Sequence, residues 1–541
     1  MRMKAAQAMV ECLKAEGIST VYGYPGAAIC PFYDALLSAK DDITHVLVRH
    51  EANGGHAANG FARISGKPAV CIATSGPGAV NLLTAIATAY ADSIPLICIT
   101  GQVNTDQIGS DAFQEADITG SAEPLVKHSY LIKNAEDLPR AFKEAFFIAG
   151  TGRPGPVLLD VPMDVQNTVI DFKYPASVDI RSYKPTTKGN NLQIKRVLDA
   201  LKKAKKPLIC IGGGVFNSNA QEEINKLAHI MNIPVITTMM GISVFSDDDP
   251  LFFGMLGMHG VKSANYAVNE CDVLFLVGAR VGDRSVRTPL ALEKNTKILH
   301  IDIDPAEIGK NIGADLPLVG DAKTVLSQML EKAEPMEHEE WLAQLDACRT
   351  ERKFAEPVKG TVNPREFILK LSKAMPQDTV VVADVGQNQI WTATGYHIGK
   401  GGRFMTSGGM GTMGYSLPAA IGAKMAAPER TVIAVCGDGS FQMAMAELAT
   451  AVQHGVNVKV VIMTNGSLGM VRELQQNFYD GRETAVALDG SPDFIKIAEA
   501  YGIKAMRVTD DASAEEAICL LSKNDGITLV EVKVDPKAST L

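Results

Sequence analysis

The chain has 541 residues, 46% of them hydrophobic and 21% charged, with a net charge of −9. That length suggests several domains, and the composition excludes disorder, collagen-like repeats and a small disulfide-stapled fold. No basic face is concentrated anywhere, so nucleic acid is not an expected partner.

The N-terminus, Met1 to Glu11, reads as an amphipathic helix without the apolar stretch of a signal peptide. No run approaches the length of a membrane span, so a cytoplasmic protein that makes no use of a membrane is expected. Short β-branched runs then recur. They fall at 43–48, 69–74, 95–100 and 157–161; at 207–211, 234–238, 273–277 and 298–303; and at 379–383, 431–436, 458–464 and 527–534. Each ends in glycine or a polar turn and leads into a helical pattern. Such runs read as parallel strands covered on both faces. Their grouping predicts an α/β fold of three doubly wound domains with mainly parallel sheets. Polar, irregular stretches at 166–191 and 333–364 read as linkers, which places the domains at 1–165, 190–333 and 364–541. The nine cysteines are widely spaced, with no CxxC and no metal-type cluster, and read as reduced, buried thiols.

The strongest local signal is Gly437-Asp438-Gly439-Ser440, which closes the run 431–436, followed by Asn465 at the end of 458–464. Asp438 offers a hard anionic oxygen and Asn465 a neutral one. Mg²⁺ accepts so sparse a protein shell when phosphate oxygens complete it. Gly437 and Gly439 admit close backbone approach, and the helix after Ser440 would aim N–H groups at phosphate. Glu51, in Val48-Arg49-His50-Glu51, precedes a helix of small residues and by itself reads as charge complementarity at a helix start. Tyr24-Pro25-Gly26, Thr74-Ser75-Gly76 and Gly212-Gly213-Gly214 read as tight turns after strands. The last is not a GxGxxG fingerprint.

Together these motifs resemble the acetohydroxyacid synthase (acetolactate synthase) catalytic-subunit family of thiamine diphosphate enzymes, from about Met1 to Asp535. The resemblance implies a pyrimidine-binding, a central and a diphosphate-binding domain. It assigns Mg²⁺ to Asp438, Asn465 and the Ser467 carbonyl. It gives the cofactor to Val385, Gly386, Gln387, Gly411, Met413, Gly437, Gly439, Ser440, Gly469 and Met470, with Met413 holding the cofactor bent. Pro25, Gly26 and Ser75 would line its pyrimidine side, where Glu51 would bond ring nitrogen N1′. Glu51 and the metal site lie in different domains, and in this family such sites form between subunits. A homodimer or homotetramer is therefore implied, with a small regulatory subunit as a further partner. Gln114 and Arg284 would orient substrate, and Phe113 would face its channel. FAD, without net redox chemistry, would be held by Arg153, Gly212, Gly213, Gly214, Thr238, Met240, Leu256, Met258, His259, Gly278, Arg280, Asp302, Ile303 and Asp321.

Several positions depart from the family pattern. Leu474 replaces a tryptophan, Met163 a lysine, Gly282 an aspartate, and Thr464 the first residue of an Asn-Asn pair. The family's C-terminal arm over the active site is not expected after Pro536. The implied activity is decarboxylation of pyruvate and condensation of the two-carbon unit with a second 2-ketoacid, in branched-chain amino acid biosynthesis. The altered pocket leaves open a related 2-ketoacid decarboxylase, carboligase or acyltransferase. A silent paralogue is disfavoured by the retained Glu51, Asp438 and Asn465. Loss of a rigid indole at Leu474 predicts a weaker preference for 2-ketobutyrate as acceptor.

Overall fold

The computed structural model describes residues 1–286, 288–349, 354–523 and 526–540. The β-branched runs form three six-stranded sheets in which every neighbouring pair is parallel. The first holds β1 (Thr20–Gly23), β2 (Thr44–Leu47), β3 (Ala69–Ala73), β4 (Leu96–Gln102), β5 (His128–Leu131) and β6 (Val157–Pro162). Its order is β2-β1-β3-β4-β6-β5. The second holds β7 (Pro207–Ile211), β8 (Val235–Thr237), β9 (Phe252–Met255), β10 (Val273–Val277), β11 (Lys297–Asp302) and β12 (Leu316–Val319), ordered β9-β8-β7-β10-β11-β12. The third holds β13 (Val380–Ala383), β14 (Arg403–Met405), β15 (Val432–Gly437), β16 (Lys459–Thr464), β17 (Lys504–Val508) and β18 (Thr528–Lys533), ordered β14-β13-β15-β16-β18-β17.

Successive residues of a strand feed opposite cores. Val70 and Ile72 of β3 join one cluster, and Cys71 and Ala73 the other. Helices therefore cover both faces, as an all-parallel sheet requires. Apart from the short interior strand β1, the strands that pattern reading misses (β5, β9, β12, β14 and β17) are sheet edges. An edge strand needs no continuous apolar run; β17 mixes Lys504 and Arg507 with Ala505 and Met506.

The stretch 333–364 is not the irregular linker its charge suggests. It carries the helix Glu339–Asp346, whose buried Trp341 donates its indole N–H to the Pro207 carbonyl at 3.0 Å. Within 166–191, Val169–Asp171 pairs antiparallel with Arg2–Lys4. Two thiols also differ from expectation, since Cys30 and Cys519 are exposed.

The first and third sheets meet through helices α1 (Glu51–Ser65) and α4 (Ser416–Ala426); between them in the chain run α2 (Pro77–Asp92) and α3 (Gln387–Gly395). A Cβ on Gly60 would stand 2.0 Å from the Ala419 carbonyl oxygen, and one on Gly422 1.8 Å from that of Ala57. Beside this contact Tyr415 donates its hydroxyl hydrogen to Asn59 Oδ1 at 2.9 Å. Nearer the start of α1, buried Glu447 accepts from the Arg49 backbone N–H at 3.0 Å and from Asn53 Nδ2 at 3.1 Å.

Glycine to alanine inside a helix ordinarily helps by about 1 kcal/mol. At Gly422 the methyl would meet a backbone carbonyl instead, so Gly422→Ala should destabilise by roughly 1–3 kcal/mol. A lowered urea midpoint is the expected result; an unchanged or raised one would contradict the backbone contact.

Candidate active site

Open α/β sheets bind ligands outside the carboxyl ends of their strands, where the strand order reverses. In the third sheet that point lies between β13 and β15. There Val385-Gly386-Gln387 leads into α3, and Gly437-Asp438-Gly439-Ser440 leads into α5 (Asp438–Ala444). Gly386 has φ of 142°, which favours glycine. Buried Asp384 accepts from the Val385 and Gly414 N–H groups at 2.9 and 3.0 Å and from that of Ser416 at 2.7 Å. It thereby ties the first turn to the 407–414 loop that carries Gly411 and Met413.

Asp438 is buried at the centre of this crevice. Its carboxylate accepts from the Gly439 N–H at 3.0 Å and the Gly466 N–H at 2.7 Å. Burial nevertheless holds it above the ordinary aspartate value, with those donors pulling the other way. Asn465, between β16 and α6 (Gly469–Phe478), accepts from the Ser467 N–H and donates to Gln387 Oε1, both at 3.0 Å. A Cβ on Gly469 would fall 2.1 Å from Gln387 Oε1, so the turns converge only because that residue is glycine. The Met413 methyl would lie 3.7 Å from a Cβ on Gly439, so Met413 overlooks the same turn. Ser440 Oγ bonds the Gly437 N–H at 3.1 Å, and Met470 is half-buried beside Gly469. The Ser467 hydroxyl is buried with no partner among the described residues. No cluster of three or more His, Cys, Asp and Glu suited to a metal occurs among the described residues. A buried carboxylate without a cation, beside an amide oxygen and an orphan hydroxyl, fits a divalent ion completed by phosphate oxygens.

The rim of the crevice holds residues that motif reading did not supply. Gln387 Nε2 donates to Glu473 at 2.8 Å and to the Ala538 carbonyl at 2.7 Å. Glu473 also accepts from Ser539 Oγ at 2.6 Å and the Thr540 N–H at 2.9 Å. Burial tends to raise the Glu473 carboxyl, but the Ser539, Gln387 and Thr540 donors leave it below its ordinary value. Residues 538–540 thus lie across the rim, where no C-terminal segment was expected. Burial lowers the His259 pKa, with the charge of Glu473 raising it and those of Arg284 and Arg365 lowering it further. Arg284 is exposed and pairs with Asp283 at 3.6 Å. A side chain at Gly282 would meet nothing within 4 Å. Leu474, with Val471 and Phe478, forms an exposed apolar stripe on α6.

The first sheet reverses between β1 and β3, and a second group gathers there. Glu51 opens α1 and accepts from Asn81 Nδ2, on α2, at 3.0 Å. The Pro25-Gly26 and Ser75-Gly76 turns border it. A Cβ on Gly26 would meet Thr74 at 2.5 Å, one on Gly78 would stand 3.1 Å from Glu51 Oε1, and one on Gly76 would stand 2.8 Å from the Gln114 carbonyl. Gln114 itself has φ of 60°. Phe113 is 87% exposed. Met163 is half-buried at the end of β6. Among the described residues no hydrogen bond or ion pair joins Glu51 to the Asp438 crevice.

The loop carrying Gln114 is anchored by Asp160, which accepts from Thr100 Oγ1 at 2.7 Å and Gln102 Nε2 at 3.0 Å, while Gln102 also donates to the Ala116 carbonyl. Burial, opposed by those donors, pushes Asp160 up to about 7.

The central sheet has the strand order associated with dinucleotide binding, reversing between β7 and β10. At that point Gly212 and Gly214 pack on Gly278, and a Cβ on Gly212 would fall 2.2 Å from the Gly278 carbonyl oxygen, whereas Gly213 faces Met240. Thr238 donates its backbone N–H to Ile211 at 2.9 Å, and Met240 follows. Leu256 is buried, Met258 and Arg280 are exposed, and Met258 N–H bonds the Arg284 carbonyl at 3.0 Å. Arg153 reaches in from the first domain and pairs with Asp304 and Glu307 at 3.3 and 2.7 Å. Burial pushes Asp302, next to Ile303, up to about 6. Asp321 caps the helix Ala322–Leu330 through the Thr324 N–H at 2.9 Å. The glycine-lined crevice and its charged far end fit a dinucleotide.

Asp160 favours the protonated form in the folded chain, so its contribution to stability is present at low pH and is lost as pH rises through about 7. Urea midpoints should fall between pH 5 and 8 for the parent chain and change less for Asp160→Asn. Parallel profiles would contradict this assignment.

Residues 3–121, 194–329 and 384–532 match, respectively, the N-terminal TPP binding, central and C-terminal TPP binding domains of thiamine pyrophosphate enzymes. The chain is 46% identical to a probable acetolactate synthase large subunit of Methanocaldococcus jannaschii, covering 99% of this chain and 92% of the relative. It is 43% identical to the acetolactate synthase large subunit of Corynebacterium glutamicum (99% and 86% covered). It is 42% identical to the acetolactate synthase isozyme 3 large subunit of Escherichia coli (98% and 95% covered). The three sheets, the buried Asp438–Asn465 crevice and these likenesses agree: the chain belongs to the thiamine pyrophosphate enzymes, in the acetolactate synthase large-subunit family.

Proposed function

We propose that the protein is a thiamine diphosphate- and Mg²⁺-dependent acetolactate synthase that decarboxylates pyruvate and joins the two-carbon unit to a second 2-ketoacid. The observation that carries this reading is buried Asp438, uncompensated by a cation among the described residues, set against Asn465 between two glycine turns at a sheet switch point. On this reading residues 1–165 are the pyrimidine-binding domain, 190–333 the central domain and 364–541 the diphosphate-binding domain.

Asp438, Asn465 and the Ser467 carbonyl hold Mg²⁺, and Val385 to Gln387 with Gly439 and Ser440 take the diphosphate. Bound thiamine diphosphate supplies the nucleophilic carbon and the electron sink that decarboxylation needs. Met413, whose methyl lies beside Gly439, would support the bound cofactor from below. Glu51, oriented by Asn81, holds a proton at the pyrimidine edge. Glu51 in the first domain and Asp438 in the third suit a site shared between two copies, in a homodimer or homotetramer. Arg284 fixes a 2-ketoacid carboxylate through paired hydrogen bonds, and Gln114 orients the other end. FAD sits in the central crevice without net redox chemistry. A small regulatory subunit fits the "large subunit" names of the relatives. The cytoplasm suits this chemistry, and no helix of the described residues is long and apolar enough to cross a membrane. The exposed Leu474 and the open space at Gly282 favour a pocket that discriminates weakly in favour of 2-ketobutyrate.

With thiamine diphosphate, Mg²⁺, FAD and pyruvate, the purified protein should release 2-acetolactate. No acetolactate from protein that holds its cofactor would overturn this reading in favour of another 2-ketoacid carboligase. Glu51→Gln should keep cofactor binding and lose roughly 10²- to 10⁴-fold in kcat, whereas Asp438→Ala should lose Mg²⁺-dependent cofactor binding in calorimetry. Full activity in Glu51→Gln would remove it from proton transfer. In competition between the two acceptors, Leu474→Trp should shift product towards 2-aceto-2-hydroxybutyrate; an unshifted ratio would clear Leu474 of acceptor choice.

A further inference from the structure

Helices α1 and α2 both begin at the Glu51 group and both end at a buried clasp on the loop that carries Met413. Glu51 is the first residue of α1 and Arg63 lies in its last turn. On α2, Asn81 bonds Glu51 and Asp92 is the final residue. Arg63 Nη2 and Asp92 Oδ2 pair at 2.6 Å, with side chains only 3% and 1% exposed. The other oxygen of Asp92 accepts from the Gly409 backbone N–H at 2.7 Å. A Cβ on Gly409 would come within 2.9 Å of Asp92 Oδ1, so the loop seats there as glycine. Four residues before Asp92, the hydroxyls of Thr88 and Thr412 meet at 2.7 Å, and the Thr412 N–H bonds Ser407 Oγ at 3.0 Å. Arg63 Nε is held by Asn59 Oδ1 at 2.8 Å, the same oxygen that accepts from Tyr415. Met413 therefore sits between Thr412, gripped from α2, and Gly414, gripped by Asp384.

A fully buried ion pair adds little net stability, because desolvation offsets its attraction, and its better-attested use is to fix geometry. We propose that Arg63, Asp92 and Thr88 are positioning residues for the chemical step. From the N-terminal domain they set the place of the 407–414 loop, and so the height at which Met413 meets the cofactor. This rests on the reading of Met413 as the support beneath the cofactor's bend. A side chain that merely stabilises the fold would change the fraction of protein folded. A positioning side chain changes how readily the bound cofactor reaches its reactive geometry, since misplacement of about 1 Å can cost a hundredfold in rate.

The test is hydrogen–deuterium exchange at C2 of thiamine diphosphate bound to the Mg²⁺ holoenzyme, followed by quenched-flow NMR, together with urea midpoints and cofactor affinity. Thr88→Val keeps side-chain shape and removes the hydroxyl contact with Thr412, together with the bond that this hydroxyl donates to the Thr84 carbonyl within its own helix; Asp92→Asn removes the charge. The expected result is exchange slowed about tenfold or more in both variants, with KM for pyruvate and cofactor affinity nearly unchanged. Should Asp92→Asn fail to fold, Thr88→Val decides. Parental exchange in Thr88→Val while Met413→Ala slows it would overturn the inference and leave the Met413 reading intact. Parental exchange in Met413→Ala would overturn that reading, and the inference with it.

Discussion

The contact on which the arrangement depends is the backbone-to-backbone approach of α1 and α4 at Gly60 and Gly422. Helices that touch through carbonyl oxygens leave no room for side-chain adjustment, so the first and third domains are fixed against each other. The chemistry-bearing groups are then set by short connections from that contact. Glu51 begins α1, and Met413 lies three residues before the start of α4. Glu447 adds a polar tie at the other end, through Arg49 and Asn53 on either side of Glu51.

Burial of carboxylates is the second organising feature. Asp384 has three backbone donors, and Asp92 has a guanidinium and an N–H. Each of these joins two segments of chain. Asp438, like Asp384, is answered by backbone donors and by no cation among the described residues, but it lies between two glycine turns at the carboxyl edge of a parallel sheet where phosphate binds well. The proposed Mg²⁺ site rests on that placement.

Legibility in the sequence follows from whether a role leaves a local trace. Interior strands other than the short β1 are apolar on both faces and can be read; β17, at a sheet edge, exposes Lys504 and Arg507 and cannot. The acidic residues around 337–340 read as a linker because they are the solvent side of a helix whose other side buries Trp341 and Leu345. Asp438 and Asn465 were legible because each closes an apolar strand. Asp384 carried the same signal, ending β13 just before the Val385-Gly386 turn, and could have been found by it. Asn81, Asp92 and Thr88 leave no such trace. Their partners come from another helix or another domain, and only the packing of α1, α2 and α4 brings them together. Glu473 directly precedes Leu474 in the sequence, yet its bonds to Gln387 and residues 538–540 depend on segments distant in sequence.

The central claim is that one copy of the chain holds the cofactor's diphosphate while another supplies Glu51. Mixing inactive Glu51→Gln chains with inactive Asp438→Ala chains, under conditions that exchange subunits, tests it directly. In a mixed dimer one site would recover both native groups and the other would lose both. The account predicts acetolactate formation rising from the background to roughly a quarter of the parental rate. A mixture that stays inactive, with subunit exchange verified by native mass spectrometry, would contradict it and place both groups in a site within one chain.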